Sequence, residues 1–120
     1  MALYINADKP QELLENMKKR VQSELRTVNG GWGVDNDGDF YNDDPEVKGK
    51  CWMRPIIGDD SFEPMLTFGI VRARDHDITV GDYADMHTKL AYFLLCAFDK
   101  QINEITISQG LVEGVDRWHQ

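Results

Sequence analysis

The side chains best suited to chemistry are gathered in one acidic stretch, residues 34–46, with the sequence VDNDGDFYNDDPE. This stretch places six carboxylates in thirteen positions and contains no Lys or Arg. Carboxylates at such a density can coordinate a divalent cation, decorate a solvated turn, or form a surface for a positively charged partner. The three alternatives make different demands on the neighbouring residues.

A calcium loop is the first alternative, because residues 35–38, DNDG, resemble part of such a loop. With the glycine aligned at the sixth loop position, Asp35, Asp37 and Asp44 fall at ligand positions. The first ligand would then be Gly33, which has no side-chain oxygen. The preceding residues also indicate a strand instead of an entering helix. We therefore predict no specific metal site and favour a hairpin turn.

A docking surface is the second alternative, because aromatic residues alternate with the acids in this region. Aromatic anchors surrounded by charge suit the recognition of a basic protein. A further turn is predicted at residues 58–63, GDDSFE, and its acids could extend the same edge. The predicted partner-binding residues are Trp32, Asp35, Asp37, Asp39, Tyr41, Asp43, Asp44, Asp59 and Asp60. The simpler alternative is a hairpin whose aromatic side chains face the core.

No catalytic residue and no cofactor site is predicted. His76 lies in a predicted turn between two aspartates, and His87 borders the apolar face of a predicted helix. The sequence contains no GxSxG nucleophile elbow, phosphate loop, GxGxxG or HExxH motif. Arg72 and Arg74 could bind an anion, although pairing with local acids is the simpler interpretation.

Composition narrows the classes of partner. The chain has 21 acidic and 13 basic residues, and its net charge of −8 repels nucleic-acid phosphates and anionic lipid surfaces. We therefore expect neither nucleic acid nor membrane as a direct partner. The cysteines, Cys51 and Cys96, show no zinc-binding spacing and are predicted to be buried free thiols. The first residues do not resemble a signal peptide, so a cytoplasmic location is expected.

The elements that must position these residues follow from hydrophobic periodicity and turn signals. An apolar stripe predicts a first helix over about residues 9–27, and a second helix is predicted to begin near residue 80, behind a capping box of Thr79 and Asp82. Residues 32–73 are typical of an antiparallel meander. The order β-α-β-β-β-β-α-β predicts one α+β domain over residues 1–120. Its antiparallel sheet is expected to have four to five strands, with both helices on one face.

Three functional hypotheses follow. The first is a non-enzymatic acidic inhibitor, or immunity-type protein, that neutralises a basic protein such as a toxin nuclease domain by occupying its cationic surface. The alternative is a structural or assembly accessory protein, of phage or secretion-system type, that forms a homodimer or larger oligomer through the apolar second helix or an exposed strand edge. The third is a small-molecule-binding domain or enzyme that uses Arg72, Arg74 and His76.

Overall fold

A computed structural model describes residues 2–23, 30–57, 65–109 and 117–118 of the 120-residue chain. Two α-helices and one antiparallel sheet confirm the predicted α+β class. In chain order the elements are β1 (Ala2–Asn6), α1 (Pro10–Ser23), β2 (Trp32–Val34), β3 (Phe40–Asn42), β4 (Cys51–Ile57), β5 (Met65–Arg72), α2 (Val80–Phe98), a 3-10 helix (Asp99–Gln101), β6 (Glu104–Ser108) and β7 (Arg117–Trp118). The predicted order of strands and helices is confirmed up to β6.

The strand order across the sheet is β2-β3-β4-β5-β1-β6, and the two-residue β7 pairs in parallel with the end of β5. Six strands lie on this path, close to the four to five predicted for the sheet. Every predicted strand belongs to this one sheet. Strand β5 is central, as its apolar sequence predicts, and lies between β4 and β1. Strand β6 pairs with β1 and ends the path.

One face of the sheet carries the core. In β5, Leu66, Phe68 and Ile70 point to this face and are buried, as period-two alternation predicts. Leu3 of β1 lies opposite Phe68, and Ile5 lies opposite Leu66, so the apolar face continues into β1. Buried side chains of both helices belong to the same core cluster. The helices therefore cover a single face of the sheet.

Helix α1 begins at Pro10, which has the backbone φ of a first helical turn and needs no N–H partner there. Its buried residues are Leu13, Leu14, Met17 and Val21, and their spacing of three and four forms the predicted apolar stripe. Contacts with β2, β4 and β5 place α1 over that part of the sheet. The predicted end of this helix falls at residues 24–29, which lie outside the described residues.

Helix α2 begins with the predicted capping box. The Thr79 hydroxyl accepts a hydrogen bond from the Asp82 N–H at 3.1 Å, and the Asp82 carboxylate accepts one from the Thr79 N–H at 3.2 Å. The helix packs on β1. Its buried residues are Met86, His87, Leu90, Phe93, Leu94 and Phe98.

The sequence of residues 90–98 is apolar on nearly every side of α2, which favours burial against the sheet and α1 or against a partner, but part of this stretch is exposed in the single chain. Tyr92 is 73% exposed and Leu95 is 52% exposed, on the face that points away from the core. Cys96 is exposed as well, so the prediction of two buried thiols holds for Cys51 alone. The sheet covers one side of α2, through β1, whereas the apolar residues 90–98 occupy every side of the helix. Within the described parts of the chain, no helix combines the length and apolar character needed to cross a membrane.

Candidate functional site

The acidic stretch forms the predicted hairpin. Strands β2 and β3 pair so that Gly33 lies opposite Tyr41, and the connecting turn spans residues 35–39. Within the turn, the Asp35 carboxylate accepts hydrogen bonds from the N–H groups of Asp37 at 2.9 Å and Asp39 at 3.0 Å. Gly38 takes a φ of 84°, a conformation that glycine adopts without steric cost. Asp35 therefore has a structural role in shaping the turn.

Asp39 is held by an arginine from the neighbouring part of the sheet. The Arg54 guanidinium of β4 donates from Nε to Oδ1 and from Nη2 to Oδ2 of Asp39, each at 2.8 Å. The Asp39 side chain is only 3% exposed. Hydrogen bonding to this carboxylate raises the pKa of Arg54 above its already high ordinary value. Asp39 is therefore buried and neutralised, and it has little surface left for the predicted partner contact.

Three carboxylates at the turn lie close enough together to hold a metal ion, but several of their oxygens already accept hydrogen bonds from the protein. Asp35, Asp37 and Asp39 bring carboxylate oxygens within 4.8 Å of one another. Both oxygens of Asp39 bind Arg54, and one oxygen of Asp35 binds two backbone N–H groups. A cation would have to compete with the guanidinium for Asp39. Exposed Asp37 is the member of this group that points most freely to solvent.

A second ion-pair cluster links the loop after β3 to helix α2. Lys89 donates hydrogen bonds to the carboxylates of Asp44 and Asp85, the latter at 2.7 Å. The hydrogen bond from Lys89 is the main reason that the pKa of Asp44 lies below its ordinary value, and the N–H of Glu46 adds to the effect. Asp43 pairs with Lys48 at 3.2 Å. Two more of the predicted contact acids are thus neutralised by lysines of the same chain.

Sequence reasoning missed the lysine at the centre of this cluster. The spacing of Asp85 and Lys89, four residues apart on a helix, is a signal that could have predicted their pairing. The contact of Lys89 with Asp44 spans 45 residues of sequence. No local pattern indicates such a contact, because it depends on how α2 crosses the sheet.

The aromatic residues of the hairpin differ in their roles. Trp32, which the sequence places among the partner-binding residues, is 1% exposed and belongs to the core cluster, so it has almost no accessible surface for a partner. Tyr41 is half-buried, and its ring lies across Gly33 on the paired strand. A Cβ at Gly33 would come within 2.5 Å of the Tyr41 hydroxyl. The simpler alternative was a hairpin whose aromatic side chains face the core. Trp32 agrees with it, and half-buried Tyr41 agrees in part.

The remaining candidate residues differ in their exposure and contacts. His76 is exposed, 3.9 Å from the Asp75 carboxylate. His87 is buried, and its Nδ1 lies 2.6 Å from the Tyr83 carbonyl oxygen of the preceding helical turn. Arg74 is exposed. Asp59 and Asp60 lie outside the described residues, so the second half of the predicted acidic edge has no structural description.

One groove of about 260 Å³ lies between the start of α1 and the 3-10 helix. Its lining is polar and carries both signs of charge, from Asp8, Lys9, Glu12, Lys100, Gln101 and Asn103. Asn103 donates to the Asp8 carboxylate at 2.9 Å, so part of the lining is already paired. The groove contains none of the residues predicted for a small-molecule site.

Helix α2, in contrast, exposes an apolar surface to solvent. Tyr92, Leu95 and Cys96 are separated by three and four residues and share one exposed face of the helix. The sequence between Lys89 and Asp99 contains no charged residue. At the β6 edge of the sheet, Ile107 is 40% exposed. We call Tyr92, Leu95 and Cys96 the outer face of α2.

Comparisons with known proteins do not assign the chain to a group. No protein-family model matches it, and no curated protein or solved structure shows significant similarity to it.

Proposed function

We propose that this protein is a non-catalytic assembly component that acts by associating with a second copy of itself. The observation that carries the proposal is the outer face of α2, where Tyr92 and Leu95 are exposed and no charged residue occurs between Lys89 and Asp99. A helix that meets only water on its outer face normally places charged and polar residues there. Clustered apolar side chains on a surface are typical of interaction sites.

The geometry supports this proposal more than an acidic docking site. Of the predicted contact residues, Trp32 is in the core, Asp39 is bound by Arg54, and Asp44 is bound by Lys89. A basic partner would have to displace these internal cations. The outer face of α2 requires no such displacement, and its burial would release ordered water.

Light scattering coupled to size-exclusion chromatography tests the proposal over a range of protein concentrations. We expect a dimer or larger symmetric oligomer that dissociates on dilution. The variant Leu95→Gln should weaken association by about tenfold or more, since burying a leucine contributes roughly 1.5–3 kcal/mol. Val80→Gln is a matched control, because Val80 is 74% exposed at the opposite end of the same helix. A concentration-independent monomer would overturn the proposal.

A second candidate is the binding of a basic protein, such as a toxin nuclease domain. It is favoured by the turn, where three carboxylates lie within 4.8 Å of one another beside a single bound guanidinium, and by the net charge of −8. The Asp35 hydrogen bonds hold this turn in one shape, so little ordering would accompany binding. The exposed carboxylate of Asp37 would make the leading contact.

Calorimetric titration with a poly-lysine peptide at low and high salt tests this candidate. Binding through the turn should fall several-fold in Asp37→Asn and weaken further with salt. Asp77→Asn is the matched control, because Asp77 is also exposed and lies outside the hairpin. Equal losses in the two variants would indicate attraction to net charge alone and would remove the hairpin as a site.

A further inference from the structure

We propose that Asp37 is a site of spontaneous covalent modification, at which the peptide bond to Gly38 moves from the main-chain carbonyl to the side-chain carboxyl of the aspartate. The only co-reactant is water, and the product is an isoaspartate. The chain contains one Asp-Gly pair, and this pair lies in the turn between β2 and β3. The modification needs no partner and is independent of the proposed self-association.

The reaction passes through a cyclic imide and needs no oxidant or reductant. The lone pair of the Gly38 nitrogen forms a bond to Cγ of Asp37, the bond from Cγ to the carboxyl hydroxyl breaks, and the amide hydrogen leaves with that hydroxyl as water. A second water then opens the ring. Attack at the main-chain carbonyl carbon of Asp37 leaves the chain linked through Cγ, whereas attack at Cγ restores the original bond. The composition of the protein is unchanged.

Both reacting groups are accessible in the turn. Asp37 is exposed, and among the residues that the structure describes its carboxylate has no hydrogen bond and no ion pair. In contrast, the Asp35 carboxylate accepts two backbone hydrogen bonds, and the Asp39 carboxylate binds Arg54. Gly38 has no Cβ, so no side chain of its own hinders the approach of its nitrogen to Cγ. Asp37 is therefore the acid of this turn that is best placed to react.

One hydrogen bond has to open before the Gly38 nitrogen can attack. The Gly38 N–H donates to the Asp35 carbonyl oxygen at 3.1 Å, whereas the other three hydrogen bonds between Asp35 and the turn measure 2.9 to 3.0 Å. Loop tips open locally at a small cost in free energy. Such motions are also far faster than a covalent rearrangement. The hydrogen bond therefore slows the reaction without preventing it.

The modification changes the turn beside its most buried acid. An isoaspartate adds one carbon to the main chain between the Cα atom of Asp37 and the Gly38 nitrogen. In the unmodified turn, the Asp39 N–H lies 3.0 Å from the Asp35 carboxylate, and the Asp39 side chain, 3% exposed, binds Arg54. A longer turn displaces Asp39 from at least one of these partners. Because breaking a buried ion pair is destabilising, the modified protein should unfold at a lower urea concentration.

Ageing of the folded protein at neutral pH, followed by peptide mapping with an isoaspartyl methyltransferase, tests the site. We expect isoaspartate to accumulate at residue 37 about tenfold faster than at Asp77, which is also exposed but precedes the β-branched Ile78. Asp37→Glu is the matched variant, because it keeps the charge and should remove the methylation at this position. Asn29 also precedes a glycine, but its conversion to isoaspartate changes the mass of the peptide, whereas conversion of Asp37 does not.

A comparison with the unfolded chain shows whether the native turn permits the reaction. Modification of residue 37 in the folded protein, at a rate below that of the chain in urea but above that of Asp77, supports the proposal. If residue 37 is modified in urea, but in the folded protein no faster than Asp77, the turn blocks the reaction and the proposal is overturned. Urea unfolding of the separated modified protein then tests the effect on Asp39. A midpoint equal to that of the unmodified protein would overturn the proposed displacement from Arg54.

Discussion

The Arg54 guanidinium donates two hydrogen bonds of 2.8 Å to the Asp39 carboxylate, and thereby joins β4 to the turn between β2 and β3. The two residues are 15 positions apart, and Asp39 is almost fully buried. This pair neutralises one of the six carboxylates that the sequence places in thirteen positions, and Lys48 and Lys89 pair with two more. The hairpin is acidic in sequence, but the charge of its most buried acid, Asp39, is neutralised by an arginine of the adjacent strand β4.

The first prediction concerns this pair. Arg54→Met should lower the free energy of unfolding by about 3 kcal/mol, because it leaves a buried carboxylate without its counter-ion. Urea unfolding at neutral pH measures the change. Lys48→Met is the matched control, since it removes a lysine from an ion pair with Asp43 that is far more exposed. That change should cost less than about 1 kcal/mol. Equal losses in the two variants would contradict the structural role of Arg54.

The second prediction is a pH dependence that originates at Asp44. Its pKa in the folded state lies below the ordinary value of 3.8, mainly because Lys89 donates a hydrogen bond to it. The carboxylate therefore stabilises the fold fully above the unfolded-state pKa, and this contribution is lost as pH falls through the lowered folded-state pKa. Asp44→Asn should reduce the slope of stability against pH in the region below 3.8. A titration of the Asp44 carboxyl by NMR with a midpoint at or above 3.8 would contradict the prediction.

Much of the fold was readable from the sequence because its signals are local. The apolar stripe of α1, the capping box of Thr79 and Asp82, and the alternation of Leu66, Phe68 and Ile70 each follow from period or from neighbouring residues. The order of the strands was not readable in this way. The placement of β1 between β5 and β6 depends on contacts between residues 59 to 106 positions apart.

The candidate site was predicted less well, for the same physical reason. The turn at Gly38 follows from local sequence, whereas the partners of Asp39 and Asp44 are Arg54 and Lys89, which the chain brings in from other elements. Charge density alone therefore overstated how much negative surface remains. The apolar run of α2 was recognised, but which side of the helix is exposed depends on how α2 lies on the sheet.

The third prediction separates two glycines by their backbone conformation. Gly38 has a φ of 84° in the hairpin turn, so Gly38→Ala should destabilise the fold by about 1 kcal/mol. Gly81 lies in the first turn of α2 without a positive φ, and a Cβ there would make an ordinary contact with Thr79 at 3.5 Å. Gly81→Ala should therefore be stabilising, by roughly 0.5–1 kcal/mol. Thermal unfolding of both variants checks the opposite signs.

The fourth prediction uses the two cysteines as reporters of α2. Burial is the main cause that raises the pKa of the Cys51 thiol to about 12, so Cys51 should remain unreactive in the folded protein. Cys96 is exposed on the outer face of α2 and should react with a maleimide. Mass spectrometry should show one adduct in the native protein, none in Cys96→Ser, and two after denaturation of the wild type. Since the proposed dimer covers the outer face, labelling of Cys96 should slow several-fold as protein concentration rises. A concentration-independent rate, with Cys96 modified as fast as a free peptide thiol, would place this face in solvent and argue against an α2 interface.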